Sequence, residues 1–392
     1  MAVEENTTFR GTRILMGRMQ DLNVSTRVAT AAIDISKFVT NFVVEDKPQK
    51  ETVELLANGG QQASDVTGSR KYSGTLDINL ATGLLVPLIS GVIGKDTQVA
   101  LVAPAWVLTT ATLKGEVVLH SGGKYLVAQN DGTTGATEPT VTTEVDYTDL
   151  AVDGTIIWKL RDFLYSSALH NSGFCTDKFF IIERVSEGCG STGIFDTIME
   201  NVELTYMTIE KADGSVISKQ SIPIMATKAR RSSELDYEDI TFADEPNEVF
   251  FPRDLTYITD DCTIRVDGEK YGTMHNFSLP YTRNVTSVDS VEPGEQIIKV
   301  NAPSTTGEAV IELDPLEYNK LLAQDVKSVS IVMDKGDGEK ATFTYPTVTF
   351  DEPEAQTTGN EPRLLKAMIK PTGNSTQYMC TVAIQTATKY SL

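Results

Sequence analysis

Runs of β-branched and aromatic residues, cut apart by Gly, Asp and Asn, recur along nearly the whole chain, and no other feature of the sequence limits its fold so strongly. Lys178–Val185 (KFFIIERV), Asn201–Tyr206 (NVELTY), Ser328–Met333 (SVSIVM) and Ala341–Phe350 (ATFTYPTVTF) all have the form of strands that bury at least one face. The clusters between such runs supply turns. ADGS at Ala212 and DKGDG at Asp334 offer residues that tolerate the positive φ of tight hairpins. The expected class is mainly β.

One stretch breaks that rhythm. In GTLDINLATGLLVPLISGVIG, Gly74 to Gly94, Leu76, Ile78 and Leu80 alternate with Thr75, Asp77 and Asn79, as in a half-buried strand. The period then changes, and Leu84, Leu85, Leu88, Ile89 and Val92 fall on one side of a short helix. Pro87 is tolerable there in the first turn, and Gly91 or Gly94 can end the helix. A helix of this kind reads as a lid on one sheet face.

The same unit returns from Gly307 in GEAVIELDPLEYNKLLAQDVKSVSIVM. Ile311 and Leu313 point inward on a strand, Asp314 is the N-cap, Pro315 takes the first helical position and Glu317 closes a capping box. Leu316, Leu321 and Leu322 supply the apolar side. A fainter echo pairs NVELTY with NFSLPY, which starts at Asn276. Together these matches favour a duplicated β-sandwich over one large domain.

With 392 residues the chain has room for two or three domains. Its 34 Lys and Arg against 54 Asp and Glu give a net charge of −20, a surface that repels phosphate, so free nucleic acid is a poor partner. The longest uncharged run, Thr97 to Leu113, is interrupted by Pro104 and too short to span a bilayer, so no membrane span is expected. MAVEENTTFRGTRIL at the N-terminus lacks the basic start and apolar core of a signal peptide. Cys175, Cys189, Cys262 and Cys380 show no metal-type spacing and read as reduced thiols, a Cys175–Cys189 disulfide being the alternative.

Residues Arg230 to Asp254 change from basic to acidic and read as a linker or extended arm. The carboxylates Glu234, Asp236, Glu238, Asp239, Asp244, Glu245 and Glu248 read as a solvated face, since neither they nor DKGDG form a calcium loop. Gly115 to Trp158, rich in Thr and Gly, reads as a small β-module entered and left through exposed loops.

No catalytic constellation is visible. His120, His170 and His275 have no metal-ligand context and read as surface or satisfied histidines. The one GxGxxG, Gly188 to Gly193, follows a strand but precedes strand alternation rather than a βαβ unit, so it reads as a surface loop. No enzyme, cofactor or metal is expected.

The strand-helix unit, KFFIIERV with its glycine-rich loop and NVELTY, TIRVDGEKYGTMHNFSLPY, and EAVIELDPLEYNKLL together resemble tail tube proteins of long-tailed bacteriophages. The resemblance implies β-sandwich domains, each flanked by a short helix, whose strands join those of neighbouring subunits in a β-barrel around a channel. A duplicated subunit implies trimeric, pseudo-hexameric rings. It divides the chain into a first tube-like domain (1–111 and 161–250), an inserted module on the outer surface (112–160) and a second tube-like domain (251–392). The insertion resembles a small β-domain recurrent in phage structural proteins at Tyr125, Gly132, Thr134, Gly135, Glu138, Pro139, Asp153, Gly154 and Trp158. The aromatic residue often found after the Glu-Pro pair is missing, which weakens any sugar-binding role.

The function implied is a structural virion protein, assembled in the host cytoplasm, that polymerises as stacked rings into a tail tube with an acidic channel for DNA ejection. Its implied partners are itself, tape-measure, tail-tip and terminator proteins, and passing DNA without specific binding. Met1 to about Asn23 and the 230–254 linker are the candidate arms. The alternatives are another β-sandwich virion component, such as a tail terminator, baseplate or capsid-decoration protein, or a carbohydrate-binding adhesin. The lumen-lining residues are not readable from sequence, because a shift of one residue in register reverses a strand's faces.

Overall fold

The computed structural model describes residues 11–23, 28–29, 32–36, 38–54, 62–79, 82–92, 99–141, 150–161, 164–170, 177–186, 194–211, 219–231, 241–242, 262–270, 273–289, 296–305, 307–312, 327–334, 338–350, 354–356, 364–371 and 380–386. Within them strands dominate and there is one α-helix. The chain opens with β1 (Gly11–Arg18), the long hairpin of β2 (Val39–Glu54) and β3 (Gln62–Asn79), and α1 (Thr82–Val92). A small sheet follows, made of β4 (Val117–Leu119), β5 (Tyr125–Ala128), β6 (Leu150–Asp153) and β7 (Ile156–Arg161). Next come β8 (Tyr165–His170), β9 (Phe179–Ser186), β10 (Ile194–Leu204), β11 (Tyr206–Lys211), β12 (Lys219–Ala226) and β13 (Lys228–Arg231). The remainder holds β14 (Cys262–Val266), β15 (Thr273–Asp289), β16 (Gln296–Thr305), β17 (Gly307–Glu312), β18 (Lys327–Asp334), β19 (Lys340–Phe350), β20 (Glu354–Gln356), β21 (Leu364–Pro371) and β22 (Thr381–Thr386).

Two large antiparallel sheets carry the body, and their strand orders match. The first runs β1-β9-β10-β12-β3-β2, with β13 also on β10. The second runs β14-β18-β19-β21-β17-β15, with β22 also on β19 and β16 continuing the hairpin partner of β15. The long hairpins correspond: β2 pairs along β3 from Val39↔Ile78 to Glu54↔Gln62, and β15 pairs along β17 and β16 from Thr273↔Glu312 to Asp289↔Gln296.

The strand-then-helix segments at Gly74 and Gly307 therefore occupy matching places in the two sheets, although the helix expected from Asp314 lies outside the described residues. The fainter echo does not correspond. NFSLPY lies in β15, whereas NVELTY ends β10, breaks at Thr205 and begins β11, with Asn201 at φ +50°. The strands flanking ADGS are not a hydrogen-bonded hairpin either, since β11 joins the second sheet and β12 the first.

Burial follows the side-chain period. Val329, Ile331 and Met333 of β18, and Ala341, Phe343 and Tyr345 of β19, are buried while their alternating neighbours are half-buried. β9 differs, because Phe179, Phe180, Ile181 and Ile182 are all buried. Phe179 and Ile181 face the core shared by both sheets, and Phe180 and Ile182 meet a second cluster with Leu15, Leu22, Ala32 and Ile198. A continuous apolar run is what a strand covered on both faces requires.

The helix is not a lid with one wet side. Thr82, Val86 and Ser90 are as buried as Leu84, Leu85, Leu88, Ile89 and Val92, because α1 packs against β10 of the first sheet and against β8, β11, β15 and β22 of the second. Pro87 is its sixth residue, past the first turn, and so removes one bond from the helical ladder. Gly91 does not end the helix. A Cβ there would stand 2.5 Å from Phe179 Cε2 and 2.8 Å from Leu204 Cδ1, so glycine is what lets the helix approach the sheet.

Two strands cross between the halves of the sequence. β8 pairs with β22 from Tyr165↔Thr386 to His170↔Thr381, and β11 pairs with β15 from Tyr206↔Thr282 to Lys211↔Phe277. Residues numbered with the first sheet thus complete the second.

Candidate functional site: the inter-sheet junction, the strand edges and the small module

At the C-terminal end of α1, charges from three distant segments meet in the interior. Glu203, near the end of β10, is fully buried, and its Oε2 accepts a 2.8 Å hydrogen bond from Arg283 Nη1 on β15. The same Nη1 donates to the Gly91 carbonyl at 2.9 Å, placing a cation where the helix leaves its carbonyls unpaired and its dipole is negative. Lys178 Nζ lies 3.4 Å from the other carboxylate oxygen, and Arg283 N donates to Thr205 O at 2.8 Å. Burial raises the Glu203 pKa, and the opposing pull of Arg283 and Lys178 only partly offsets it. Beside this group Arg18 Nε lies 3.0 Å from Asp177 Oδ2, and Asp177 N donates to Ser90 O. The junction therefore ties β1, β9, β10, β15 and the last turn of α1 together.

A second buried polar group lies on the second sheet. The hydroxyls of Tyr281 and Tyr345 are 2.7 Å apart, with Cys380 Sγ 3.7 Å from Tyr281 Oη. Burial pushes the Cys380 thiol up to about 12, so it stays protonated and is a poor nucleophile. Cys262 belongs to β14; Cys175 and Cys189 lie outside the described residues, as do the GxGxxG loop, the 234–240 and 244–248 carboxylates and Met1 to Arg10.

The edges of the two sheets are finished differently. In the second sheet β15 is hydrogen-bonded to β17 and β16 on one side and to β11 on the other. The corresponding strand of the first sheet, β2, pairs among the described residues only with β3. Val39, Phe42 and Val44 of β2 pack on the shared core yet remain partly exposed, and Val43 is 41% exposed on the opposite face.

In the small sheet, ordered β6-β7-β5-β4, the residues singled out from the sequence fall into three groups. Asp153 is the hub of the first. Its Oδ1 accepts from Gly135 N at 2.7 Å, and its Oδ2 from Trp106 Nε1 at 2.9 Å and from the buried Trp158 Nε1 at 3.4 Å. Gly154 follows at φ +61°, and Gly132 packs so closely that a Cβ would lie 2.6 Å from Thr155 Oγ1. Thr134 Oγ1 donates to Val107 O at 2.7 Å and accepts from Thr110 N at 2.8 Å.

Glu138 and Pro139 form a second group around a turn. Ser121 donates to Glu138 through N at 2.8 Å and Oγ at 2.5 Å, and these two bonds lower the pKa of the carboxyl despite the cost of burial. His120 Nδ1 accepts from Gly122 N at 2.8 Å, so Nε2 carries the proton and donates to Pro139 O at 3.0 Å. This is a satisfied structural histidine. The side chains of His170 and His275 are outside the description.

Tyr125 stands apart on the opposite face of β5, its hydroxyl donating to Leu101 O at 2.9 Å. There it joins Val127 and Leu164, and Val127 and Leu164 also close over Gly338 at the β18–β19 turn. β5 is consequently buried on both faces, by its own module and by the second sheet. Trp106, Thr110 and Ser121 were not singled out from the sequence. The signal that could have found Trp106 is that it is one of the two tryptophans in the chain and stands close before the segment that holds the other.

No family model and no curated protein matches the chain. Among the described residues no group of His, Cys, Asp and Glu is placed to hold a metal ion, and no helix is long and apolar enough to cross a membrane.

Proposed function

We propose that this chain is a structural virion protein that polymerises as stacked rings into the tail tube of a long-tailed phage, with two tube-like β-sandwich domains in each subunit. The observation that carries the reading is the repeated strand order, β1-β9-β10-β12-β3-β2 and β14-β18-β19-β21-β17-β15, each ending on a long hairpin. Two copies of one sheet plan in one chain are what a trimeric, pseudo-hexameric ring requires. The net charge of −20 fits a channel that DNA crosses without adhering, since carboxylates repel phosphates over a Debye length of about 8 Å. The described aromatic rings of the module, Tyr125 and Trp158, are buried in its two apolar clusters, and Trp106 just before it packs partly buried against one of them, which favours a decorative role over sugar binding.

In this reading the subunit meets tape-measure, tail-tip and terminator proteins at the tube ends and works in the virion without a cofactor. Negative-stain electron microscopy of the concentrated protein tests it. Stacked rings or hollow tubes with three-fold end-on averages are the expected result. Six-fold averages keep the tube and remove the duplication. Monomers alone, even with tail-tip and tape-measure partners added, overturn the reading in favour of a terminator, baseplate, decoration or adhesin protein.

A further inference from the structure

We infer that the edge of β2 away from β3, which pairs with no other strand among the described residues, accepts β20 of a second copy of this chain, repeating between molecules the pairing that β11 makes with β15 inside one molecule. The inference rests on the tube reading for its setting and on the strand topology for its content.

The donors correspond as closely as the acceptors. β11 follows directly on β10: Glu203 and Leu204 pair with Met225 and Ile224 of β12, Thr205 N bonds Pro223 O, and the next six residues pair with β15. In the second sheet β20 stands at the same place in the plan. Val348 to Phe350 of β19 pair with Pro371 to Ile369 of β21, and after a short connection Glu354 to Gln356 pair with Lys366 to Leu364 farther along the same strand. Among the described residues β21 is the only strand that β20 bonds.

Among the described residues one chain thus holds two such donors and two such acceptors, with one pair already satisfied internally. What is left, β20 at one end and β2 at the other, is not self-complementary within a two-fold dimer, so copies add head to tail, and a rotation that closes gives a ring. An edge that pairs with no strand among the described residues, and on which Val39, Phe42 and Val44 are incompletely covered, is the kind of surface that natural sheets pair or protect. Because β2 and β15 hold matching places, the partner that suits β2 is the strand matching β11.

Hydrogen–deuterium exchange of the full chain, before and after rings or tubes form, tests this directly. Those amides of Thr40 to Glu45 and of Glu354 to Gln356 that point away from β3 and β21 are expected to slow by roughly tenfold or more on assembly, while those of β11 that bond β15 change by less than about twofold. As a second measurement, chains carrying both Val43→Cys and Ala355→Cys are oxidised after assembly. They should give covalent oligomers that neither single variant gives. Tubes or rings in which both segments exchange as in the free chain, and in which the double variant does not cross-link, overturn this pairing and leave the tube reading standing. A chain that forms no assembly overturns both.

Discussion

The body and the small module each bury a carboxylate, and they satisfy it by opposite means. Glu203 is met by charges, Arg283 and Lys178, brought from segments far apart in the chain. Asp153 is met by neutral N–H donors from Gly135, Trp106 and Trp158, all within the module or just before it. A buried ion pair is sensitive to the loss of either partner and adds little over an apolar pair of the same shape, whereas a hydrogen-bonded hub is a local fastening. Damage at the first should therefore spread across both sheets, and damage at the second should remain inside the module.

The strongest way to break the contrast is Arg283→Met, which leaves the buried Glu203 carboxylate without its cation and the Gly91 carbonyl without its donor. A loss of about 3–5 kcal/mol is expected by urea denaturation, with Glu203→Gln/Arg283→Met recovering most of it. An additive double variant would remove the coupling claimed here. The pH dependence has a definite sign. Because the folded-state pKa of Glu203 is raised above 4.5, its contribution is fully present below that value and is lost as pH rises through the folded pKa. Glu203→Gln should abolish this decline in a stability-against-pH series.

Next in size is Gly91→Val, which inserts methyl groups against Phe179 and Leu204 and should cost about 1–3 kcal/mol in thermal or chemical denaturation. Full stability in this variant would contradict the close approach of α1 to the first sheet.

Asp153→Asn turns one acceptor into a donor facing an N–H, and a penalty of about 1–3 kcal/mol is expected for it. Trp106 and Trp158 are the two tryptophans of the chain, so indole fluorescence reports on this module, while far-ultraviolet circular dichroism reports mainly on the large sheets. In this variant fluorescence should change at lower denaturant than the dichroism. Coincident transitions would show that the hub is not local.

The smallest effect expected is at Cys380, whose thiol should resist a thiol reagent in the folded protein at pH 8 and react on denaturation. Prompt labelling of Cys380, identified by peptide mass, would place the thiol nearer to solvent than its burial against Tyr281 and Tyr345 allows.

Local pattern made much of the fold legible. Alternation in SVSIVM and ATFTYP marks strands with one dry face, and the unbroken FFII of β9 is consistent with a strand covered twice. What could not be read depends on partners distant in sequence. Val86 and Ser90 of α1 look solvent-facing until β22, almost 300 residues later, closes over the helix. Glu203 is one carboxylate among many until Arg283 is seen beside it. In the module, Asp153 and Trp158 were marked by resemblance, but Trp106 was not, because its link to Asp153 spans 47 residues.

The crossing of β8 and β11 into the second sheet also has a consequence for synthesis on the ribosome. β11 emerges nearly 80 residues before its partner β15 is complete, and β8 some 200 residues before β22, a wait of roughly 10–40 s for the latter at ordinary elongation rates. During that interval both strands lack their long partners and are open to capture by chaperones or by other nascent chains. Until Thr381 to Thr386 arrives, β8 is held, among the described residues, only at Tyr165 and Ser166, by Ala100 and Val99, so the second sheet waits on a strand made long after most of its others.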